Sequence, residues 1–200
     1  EYLRRKLTQI DPGARIDDAI LAATIRQLGP PGALSEEEAA AEIEGFVFAN
    51  EVTQREYCVD MIERSGMKRR LDASQRVGLW KLRDQAVSRM ETERVYSRNY
   101  SRSVIAQAAR RDRTLASEDY LFIDEVQDLA PCDLAALKCL SRRAIIMAGD
   151  NDQAIFRRGF SFRRAGIDIV GRSRTINLNF RNTLQINDIA ERFRKRLLRE

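Results

Sequence analysis

Apolar residues recur at helical spacing through the first 114 residues. Positions three and four apart lie on one face of an α-helix, so each such stripe predicts a helix that packs against a core. Four stripes have this pattern: Ile16, Ala19, Ile20 and Ala23; Ala39, Ile43, Phe46 and Val47; Tyr57, Val59, Met61 and Ile62; and Leu79, Leu82, Ala86 and Met90, with Trp80 beside the last. We expect these side chains to form the core of a helical region.

The stretch "LGPPGALS", Leu28 to Ser35, separates the first two stripes. Its two prolines and two glycines are typical of a break between helices. Ser35 is followed three residues later by Glu38, the spacing of a capping box, in which each side chain bonds the backbone N–H of the other residue. A helix is therefore predicted to begin directly after Ser35.

The pattern changes after residue 117, where two short β-type apolar runs end in acidic or small residues. These runs are "YLFID" (Tyr120 to Asp124) and "RAIIMAGD" (Arg143 to Asp150). A helix between them carries Leu134, Leu137 and Leu140. A strand, a helix and a second strand in that order predict a right-handed parallel β-α-β unit. Polar residues at the strand ends would then lie at the sheet edge where parallel sheets bind ligands.

A third run, "RTINLNF" (Arg174 to Phe180), predicts a further strand, and the chain closes on an amphipathic helix with a basic outer face. The residues expected to face inward on this helix are Ile186, Ile189, Ala190, Phe193 and Leu197. The second half of the chain is therefore predicted to be α/β.

Composition narrows the possible chemistry. The sequence has no histidine, which excludes Ser-His-Asp and Cys-His catalysis and the commonest zinc ligand. Its three cysteines are odd in number and have no CxxC spacing, so we expect buried thiols in a reducing compartment such as the cytoplasm. A net charge of +5 is compatible with nucleic-acid binding but does not establish it. Any reaction must therefore use carboxylates, arginines and a metal with oxygen ligands.

No apolar run approaches the roughly 18 residues of a membrane span, so no membrane partner is expected. The N-terminus, "EYLRRKLTQI", has neither an initiator methionine nor a signal-peptide pattern. We expect the chain to be a piece of a longer protein.

The stretch "IDEVQD" places Asp124 where the first strand of the β-α-β unit ends, with Glu125 next to it. One carboxylate at such an edge suits Mg²⁺, and a neighbouring glutamate suits a base that accepts a proton from water. The alternative is structural, because acidic residues at a helix start also stabilise the helix dipole.

Two other strand ends carry polar residues of the same kind. "AGDNDQAIF" contains Gln153, which could contact a phosphate or a water, although a glutamine that caps a loop is the ordinary explanation. "NLNFRNT" places Phe180 beside Arg181, an aromatic face and a guanidinium that could serve a base and a phosphoryl group. A core phenylalanine and a surface arginine are the alternatives there.

Taken together, "IDEVQD", "AGDNDQAIF" and "LNFRNT" resemble motifs II, III and IV of the UvrD/Rep-type superfamily 1 DNA helicases. The resemblance covers roughly Tyr120 to Ile189, and the upstream stretch "REYCVDMIERSGMKRRLDASQRVGLW" is similar in character to the helical insertion that precedes motif II. It implies an α/β fold made of a helical insertion and part of a RecA-like parallel-sheet lobe. The cofactors implied are ATP and Mg²⁺, and the partner is single-stranded or partly duplex DNA.

The resemblance also implies a role for each matched position. Asp124 would bind Mg²⁺, Glu125 would be the base, Gln153 would sense the γ-phosphate, Phe180 would stack near adenine and Arg181 would be an arginine finger. Gln127 and Asp128 would link the metal site to the motif III loop. Phe156, Phe160 and Phe162 are the candidates for a ring that stacks on DNA.

We expect three regions: an insertion-like helical region at 1–114, part of the first RecA-like lobe at 115–172, and the start of the second lobe at 173–200. The phosphate-binding pattern G-x-x-x-x-G-K-[ST] does not occur in the sequence. The resemblance implies that the parent protein is an ATP-dependent DNA helicase. Because the phosphate-binding pattern is missing, these 200 residues alone are predicted to be inactive.

Two other functions stay open at this point. The chain could be a non-catalytic module that binds nucleic acid or protein and keeps the helicase-like motifs as structure, in which case the basic "GMKRR" and "RRDR" clusters would contribute. It could also be a magnesium nuclease that uses Asp124, Glu125 and Asp128, although no second metal motif supports this.

Overall fold

The computed structural model describes residues 1–64, 67, 69–150, 162–176 and 183–197. The chain divides into two compact units, Glu1–Asp168 and Ile169–Glu200. The α-helices are α1 (Tyr2–Ile10), α2 (Ala19–Leu28), α3 (Glu36–Ala40), α4 (Ala73–Glu93), α5 (Arg98–Arg111), α6 (Pro131–Leu140) and α7 (Leu184–Leu197). The strands are β1 (Arg15–Ile16), β2 (Val95–Tyr96), β3 (Glu118–Ile123) and β4 (Ser141–Met147). The predicted boundaries at 114 and 172 stay a prediction.

The larger core of the first unit is helical, as the apolar stripes predict. Ala39, Ile43, Leu79, Ala86 and Met90 are each no more than 1% exposed. Two capping boxes start the helices that carry them: Ser35 with Glu38 at α3, as predicted, and Asp72 with Gln75 at α4. Helix α3 continues directly into a π-helix, Ala41–Phe48. The helix starts are thus fixed by local hydrogen bonds, and burial fixes the faces.

Two of the predicted stripes are wrong in part. Ile16 lies in β1, which pairs in parallel with β2, and not in a helix. The segment after Thr53 forms only a short π-helix, Arg55–Val59, so its apolar residues do not share one face. Tyr57 is fully buried, whereas Val59 is 71% exposed. Helical spacing predicts a common face only where the helix is long enough to carry it.

A buried ionic cluster holds this irregular segment to the core. The Glu42 carboxylate, 2% exposed, accepts hydrogen bonds from the guanidinium of Arg64, 7% exposed, and from the Tyr57 hydroxyl at 2.8 Å. Arg76 donates to the backbone carbonyls of Tyr57 and Ile62 at 3.1 Å each. Burying charges is costly unless they are paired, so each member of the cluster depends on the others.

Strands β3 and β4 pair in parallel, with Leu121 opposite Ile145 and Ile123 opposite Met147. Helix α6 lies between them in sequence, so the predicted β-α-β order is confirmed. One side of this sheet contributes to a small core with Val126 and Leu134. On the other side Phe122 is 79% exposed. The sheet is thus covered on one face in the described part of the chain.

Helix α6 belongs to two cores at once. Ala136 and Leu140 pack into the large helical core, whereas Leu134 and Ala135 pack into the small core beside the sheet. A nearly buried ion pair between Arg102 of α5 and Asp133 of α6, at 2.9 Å, lies where α5 and α6 meet. The helical and sheet portions of the first unit are therefore joined through one helix.

Helix α7 of the second unit forms as predicted, but its apolar face is not buried. Ile186, Ile189 and Phe193 are 53%, 67% and 65% exposed, so the expected inward orientation is wrong for them. An apolar stripe shows that a helix is amphipathic, but it does not show which element covers its apolar face. Among the described residues of this unit, α7 is the only helix or strand. Residues 174–176 are not in a strand, and 177–180 of the predicted strand lie outside the described residues.

The cysteines are free, as predicted, but they are not equally buried. Cys132 is buried, whereas Cys58 and Cys139 are half-buried, which corrects the expectation of three buried thiols. Burial raises the pKa of the Cys132 thiol, so that group is held in its unreactive form. Among the described residues, no helix combines the length and the apolar character that crossing a membrane requires.

The segment from Phe162 to Asp168 is tied back to the helical region by one arginine. The Arg164 guanidinium donates two hydrogen bonds to the Glu56 carboxylate, at 2.6 and 2.9 Å, and a third to the Asn50 carbonyl at 2.6 Å. These hydrogen bonds lower the pKa of Glu56 from 4.5 to about 2. The pair therefore favours folding only while Glu56 is ionised.

We expect Arg64→Met to lower the free energy of unfolding by about 3–5 kcal/mol, because it leaves the Glu42 carboxylate buried without its cation. Arg26→Met is the matched control. Arg26 pairs with Glu36 at 3.4 Å with both side chains exposed, and its loss should change stability by less than about 0.5 kcal/mol. Urea denaturation measures the free energy of unfolding of both variants. Equally small losses for the two would contradict the conclusion that the buried cluster stabilises the fold.

The Glu56 pair predicts a pH dependence. Because the folded pKa lies below 4.5, the stability from this pair is present above pH 4.5 and is lost as the pH falls towards 2. Glu56→Gln should remove this part of the acid-induced loss of unfolding free energy. Arg164→Gln should remove the larger share of it, because Arg164 is the largest cause of the lowered pKa and the Thr53 hydrogen bonds to Glu56 remain. Denaturation at several pH values between 7 and 2.5 tests this, and a variant that follows the wild-type slope would refute it.

Candidate active site

The turns after β3 and β4 lie side by side because backbone pairing continues beyond the ends of both strands. The Ala148 N–H donates to the Ile123 carbonyl at 2.8 Å, and the Val126 N–H donates to the Ala148 carbonyl at 3.0 Å. Two loops that follow parallel strands are thereby held at one edge of the sheet. This is the edge where the sequence predicts the site.

Asp124 and Glu125 are both exposed at this edge. Glu125 has a φ of +50°, in the left-handed region that non-glycine residues seldom adopt. Asp124 supports this conformation, since its Oδ1 accepts the Glu125 N–H at 2.9 Å. The two neighbouring carboxylates thus follow the strand in an uncommon backbone conformation, which is often found at functional turns.

Gln127 connects the two turns. Its side chain is almost fully buried, with the residue 5% exposed. The amide nitrogen donates to Glu125 Oε2 at 2.5 Å, and the amide oxygen accepts the backbone N–H of Asp150 at 3.0 Å. One neutral side chain therefore uses both its donor and its acceptor to fix the Glu125 carboxylate relative to the turn after β4.

Gly149 leaves the space that this connection needs. A β-carbon at this position would lie 2.5 Å from Gln127 Oε1 and 2.7 Å from Val126 Cγ1. Both contacts are closer than non-bonded carbon tolerates, and Gln127 cannot move aside without giving up two hydrogen bonds. The glycine in "AGD" is therefore required by close approach of the two turns.

Helix α6 anchors the far end of the loop. It begins at Pro131, and Asp133 Oδ2 accepts the Ala130 N–H at 3.0 Å in the first turn. Asp133 Oδ1 accepts from Arg102 Nε at 2.9 Å. Sequence reasoning missed both residues. An aspartate two residues after a proline was a signal of the helix start, but its arginine partner lies 31 residues earlier and had no local signal.

The donors at this edge fit a magnesium ion better than a pair of metals. Asp124 keeps Oδ2 beside the Oδ1 that bonds Glu125, and Mg²⁺ takes few carboxylates together with water and phosphate oxygens. No group of three or more His, Cys, Asp or Glu that could hold a metal occurs among the described residues. In that part of the chain, the three-carboxylate arrangement of a nuclease is therefore not assembled.

The other predicted residues are not all brought to this edge. The Asp128 side chain is exposed, and its predicted role in the link to the turn after β4 stays a prediction. Phe162 is partly buried against the small core. Five of the predicted residues lie outside the described part, and their roles stay predictions: Gln153, Phe156, Phe160, Phe180 and Arg181.

The family model described as the UvrD/REP helicase N-terminal domain matches residues 49–175. The match includes β3, β4 and the turns of the candidate site, and it spans more than half of the chain, so the chain belongs to this family. The predicted membership is confirmed, and so is the fold class, a helical region with part of a RecA-like parallel sheet. Members of the family use ATP with Mg²⁺ and act on DNA. No curated protein matches the chain.

Gly149→Ala should lower the free energy of unfolding by about 1–3 kcal/mol, because its methyl group overlaps Gln127 and Val126. Gly45→Ala is the matched control. A β-carbon there meets nothing within 4 Å, and alanine favours a helix, so stability should stay equal or rise by up to about 1 kcal/mol. Thermal and urea denaturation measure both variants. Similar effects at the two glycines would contradict the close approach of the turns.

Proposed function

We propose that this chain is the central part of an ATP-dependent DNA helicase or translocase, in which Mg-ATP hydrolysis drives movement along single-stranded DNA. The observation that carries the proposal is the Gln127 amide, which joins Glu125 to the turn after β4. A helix start that merely favours its dipole has no need of such a link. The family membership supports ATP and DNA as the ligands.

Glu125 is the proposed base. A carboxylate acts as a base only when one oxygen faces the attacking water in a fixed direction. The hydrogen bond from Gln127 occupies Oε2, which leaves Oε1 to accept the proton from water as it attacks the γ-phosphate in line.

Asp124 is the proposed protein ligand of Mg²⁺, which supplies charge stabilisation at the phosphate oxygens when bound. Gln153 is proposed to contact the γ-phosphate, Arg181 to stabilise the transferred phosphoryl group, and Phe180 to stack near adenine. Through its two hydrogen bonds, Gln127 would couple the conformation of the turn after β4 to the position of the Glu125 carboxylate. Asp128 is proposed only as a further contact of that turn.

The phosphate-binding loop is proposed to lie elsewhere in the parent protein, so the 200 residues alone should not hydrolyse ATP. The competing function is a non-catalytic module that binds nucleic acid or protein. It predicts that the carboxylates at the sheet edge affect folding alone. Variants of Glu125 and of Asp124 in the parent protein therefore distinguish the two functions.

In the parent protein, Glu125→Gln should leave ATP affinity nearly unchanged and lower turnover by about 10²–10⁴-fold, because it removes the base and keeps the shape. Asp124→Ala should weaken Mg-ATP binding as well as turnover. Nucleotide affinity, ATP turnover and melting temperature should be measured for both.

Asp17→Asn, a variant of an exposed acid in the helical region, is the control and should behave as wild type. If Glu125→Gln and Asp124→Ala hydrolyse ATP normally and differ only in melting temperature, the acids serve the helix start and the proposal fails.

A further inference from the structure

The Glu125 turn, residues 124–130, is bordered on one side by the chain segment 162–167. Val126, the residue after Glu125, shares the small core with Ala165, and the two are 6% and 5% exposed. Leu134 of α6 belongs to the same core. Because a protein interior is closely packed, a shift of a buried side chain on one side of such a core moves its neighbours on the other. The position of segment 162–167 therefore affects that of the turn.

The other side of the Glu125 turn is bordered by Ala49 and Asn50, which directly follow the longer π-helix. Ala49 packs with Ala130 and Cys132 in a separate buried cluster, and its carbonyl accepts the Cys132 N–H at 3.0 Å. This N–H lies in the first turn of α6, where backbone N–H groups have no partner inside the helix. The turn ends at Ala130, so its far end is fixed against this pair of residues.

Arg164 joins the two bordering segments to each other. It lies next to Ala165 in one segment, and its guanidinium donates to the Asn50 carbonyl in the other at 2.6 Å. The same guanidinium donates to both carboxylate oxygens of Glu56, at 2.6 and 2.9 Å. Hydrogen bonds and core packing thus connect one side chain to both sides of the Glu125 turn.

Glu56 is held in the orientation that Arg164 requires. Its Oε2 accepts the backbone N–H and the hydroxyl of Thr53, at 2.8 Å each. The planar guanidinium presents its N–H groups at fixed angles and matches the two oxygens of a carboxylate that is fixed in this way. Lysine carries the same charge on a single nitrogen and cannot reproduce the parallel pair of bonds. The arrangement therefore requires arginine by its geometry and not by its charge alone.

We propose that Arg164 is a positioning residue for ATP hydrolysis: by tying segment 162–167 to Asn50, it fixes the Glu125 turn between them and so sets the direction of the Glu125 carboxylate. The role of that carboxylate as the base rests on the proposed function, whereas the contacts that position it are those of the structure. The effect of Arg164 is indirect and passes through backbone and core contacts. An arginine that merely stabilised the helical region would leave the carboxylate where it is.

The positioning is tested by amide hydrogen exchange of the intact 200-residue chain, without ATP. The Val126 N–H donates to the Ala148 carbonyl at 3.0 Å, so its exchange rate reports opening of the Glu125 turn. Arg164→Gln should raise this rate about 10-fold or more, because it removes charged hydrogen bonds that hold the turn in place. A wild-type exchange rate at Val126 in the Arg164→Gln chain would overturn the proposal.

Arg89→Gln is the matched control for the exchange experiment. The side chains of Arg89 and Arg164 are 33% and 26% exposed, and Arg89 also makes three hydrogen bonds, one of them to the Glu93 carboxylate at 2.7 Å. Its partners lie on α2 and α4, and neither helix contributes to the two small buried clusters beside the Glu125 turn. Equal rises at Val126 in the two variants would reflect a general loss of stability, and the proposal would fail.

In the parent protein, Arg164→Gln should lower ATP turnover about 10-fold and leave the KM for ATP unchanged, because the base is displaced while the nucleotide contacts remain. Arg164→Lys should recover part of the turnover. The double variant that combines Arg164→Gln with Glu125→Gln should be as slow as Glu125→Gln alone, since a side chain that has lost the base has no position left to lose. Losses that multiply would show that Arg164 does not act through Glu125, and would overturn the proposal.

The same measurements distinguish failure of this role from failure of the proposed function. Normal hydrolysis by Glu125→Gln would defeat the proposed function, and with it any part of Arg164 in hydrolysis, whatever the exchange rate at Val126. A slow Glu125→Gln beside an Arg164→Gln with wild-type turnover would leave the proposed function standing and overturn the role of Arg164 alone.

Discussion

The two turns at the sheet edge depend on one buried amide. Gln127 satisfies its own nitrogen and oxygen by joining Glu125 to the backbone of Asp150, so neither turn has its observed form without the other. Gly149 is required for the same reason, since any side chain there would occupy the volume of that amide. A charged residue in place of the glutamine could not do this, because it offers only donors or only acceptors.

Helices α5 and α6 hold the Glu125 turn, which contains this amide, in place. Helix α6 follows the Glu125 turn directly and is held by the ion pair of Asp133 with Arg102. Arg102 belongs to α5, and α5 packs in the large helical core. Through α6 and α5, the helical region therefore supports the turn that carries the carboxylates at the edge.

The local features of this molecule could be predicted from sequence, and the long-range ones could not. The Ser35–Glu38 capping box, the α4 stripe and the β-α-β order all follow from spacing within a few residues, and each is confirmed. The Arg102–Asp133 and Arg164–Glu56 pairs join residues far apart in sequence, and the spacing of arginines along the chain does not indicate which acidic residue each will contact. The Gln127 link was expected from family resemblance alone. Exposure was also misjudged: Val59 and Phe193 have the pattern of core residues but are 71% and 65% exposed.

The uncovered side of the β3–β4 sheet has a practical consequence for work with this chain. Tyr120, Phe122 and Ile146 are 51%, 79% and 44% exposed on a sheet to which the described residues contribute two strands. Contiguous exposed apolar surface of this kind favours association with other molecules. Purified protein should consequently self-associate as its concentration rises, and salts such as sulfate that strengthen apolar association should promote this, so dilute, low-salt buffers are the natural choice for handling it.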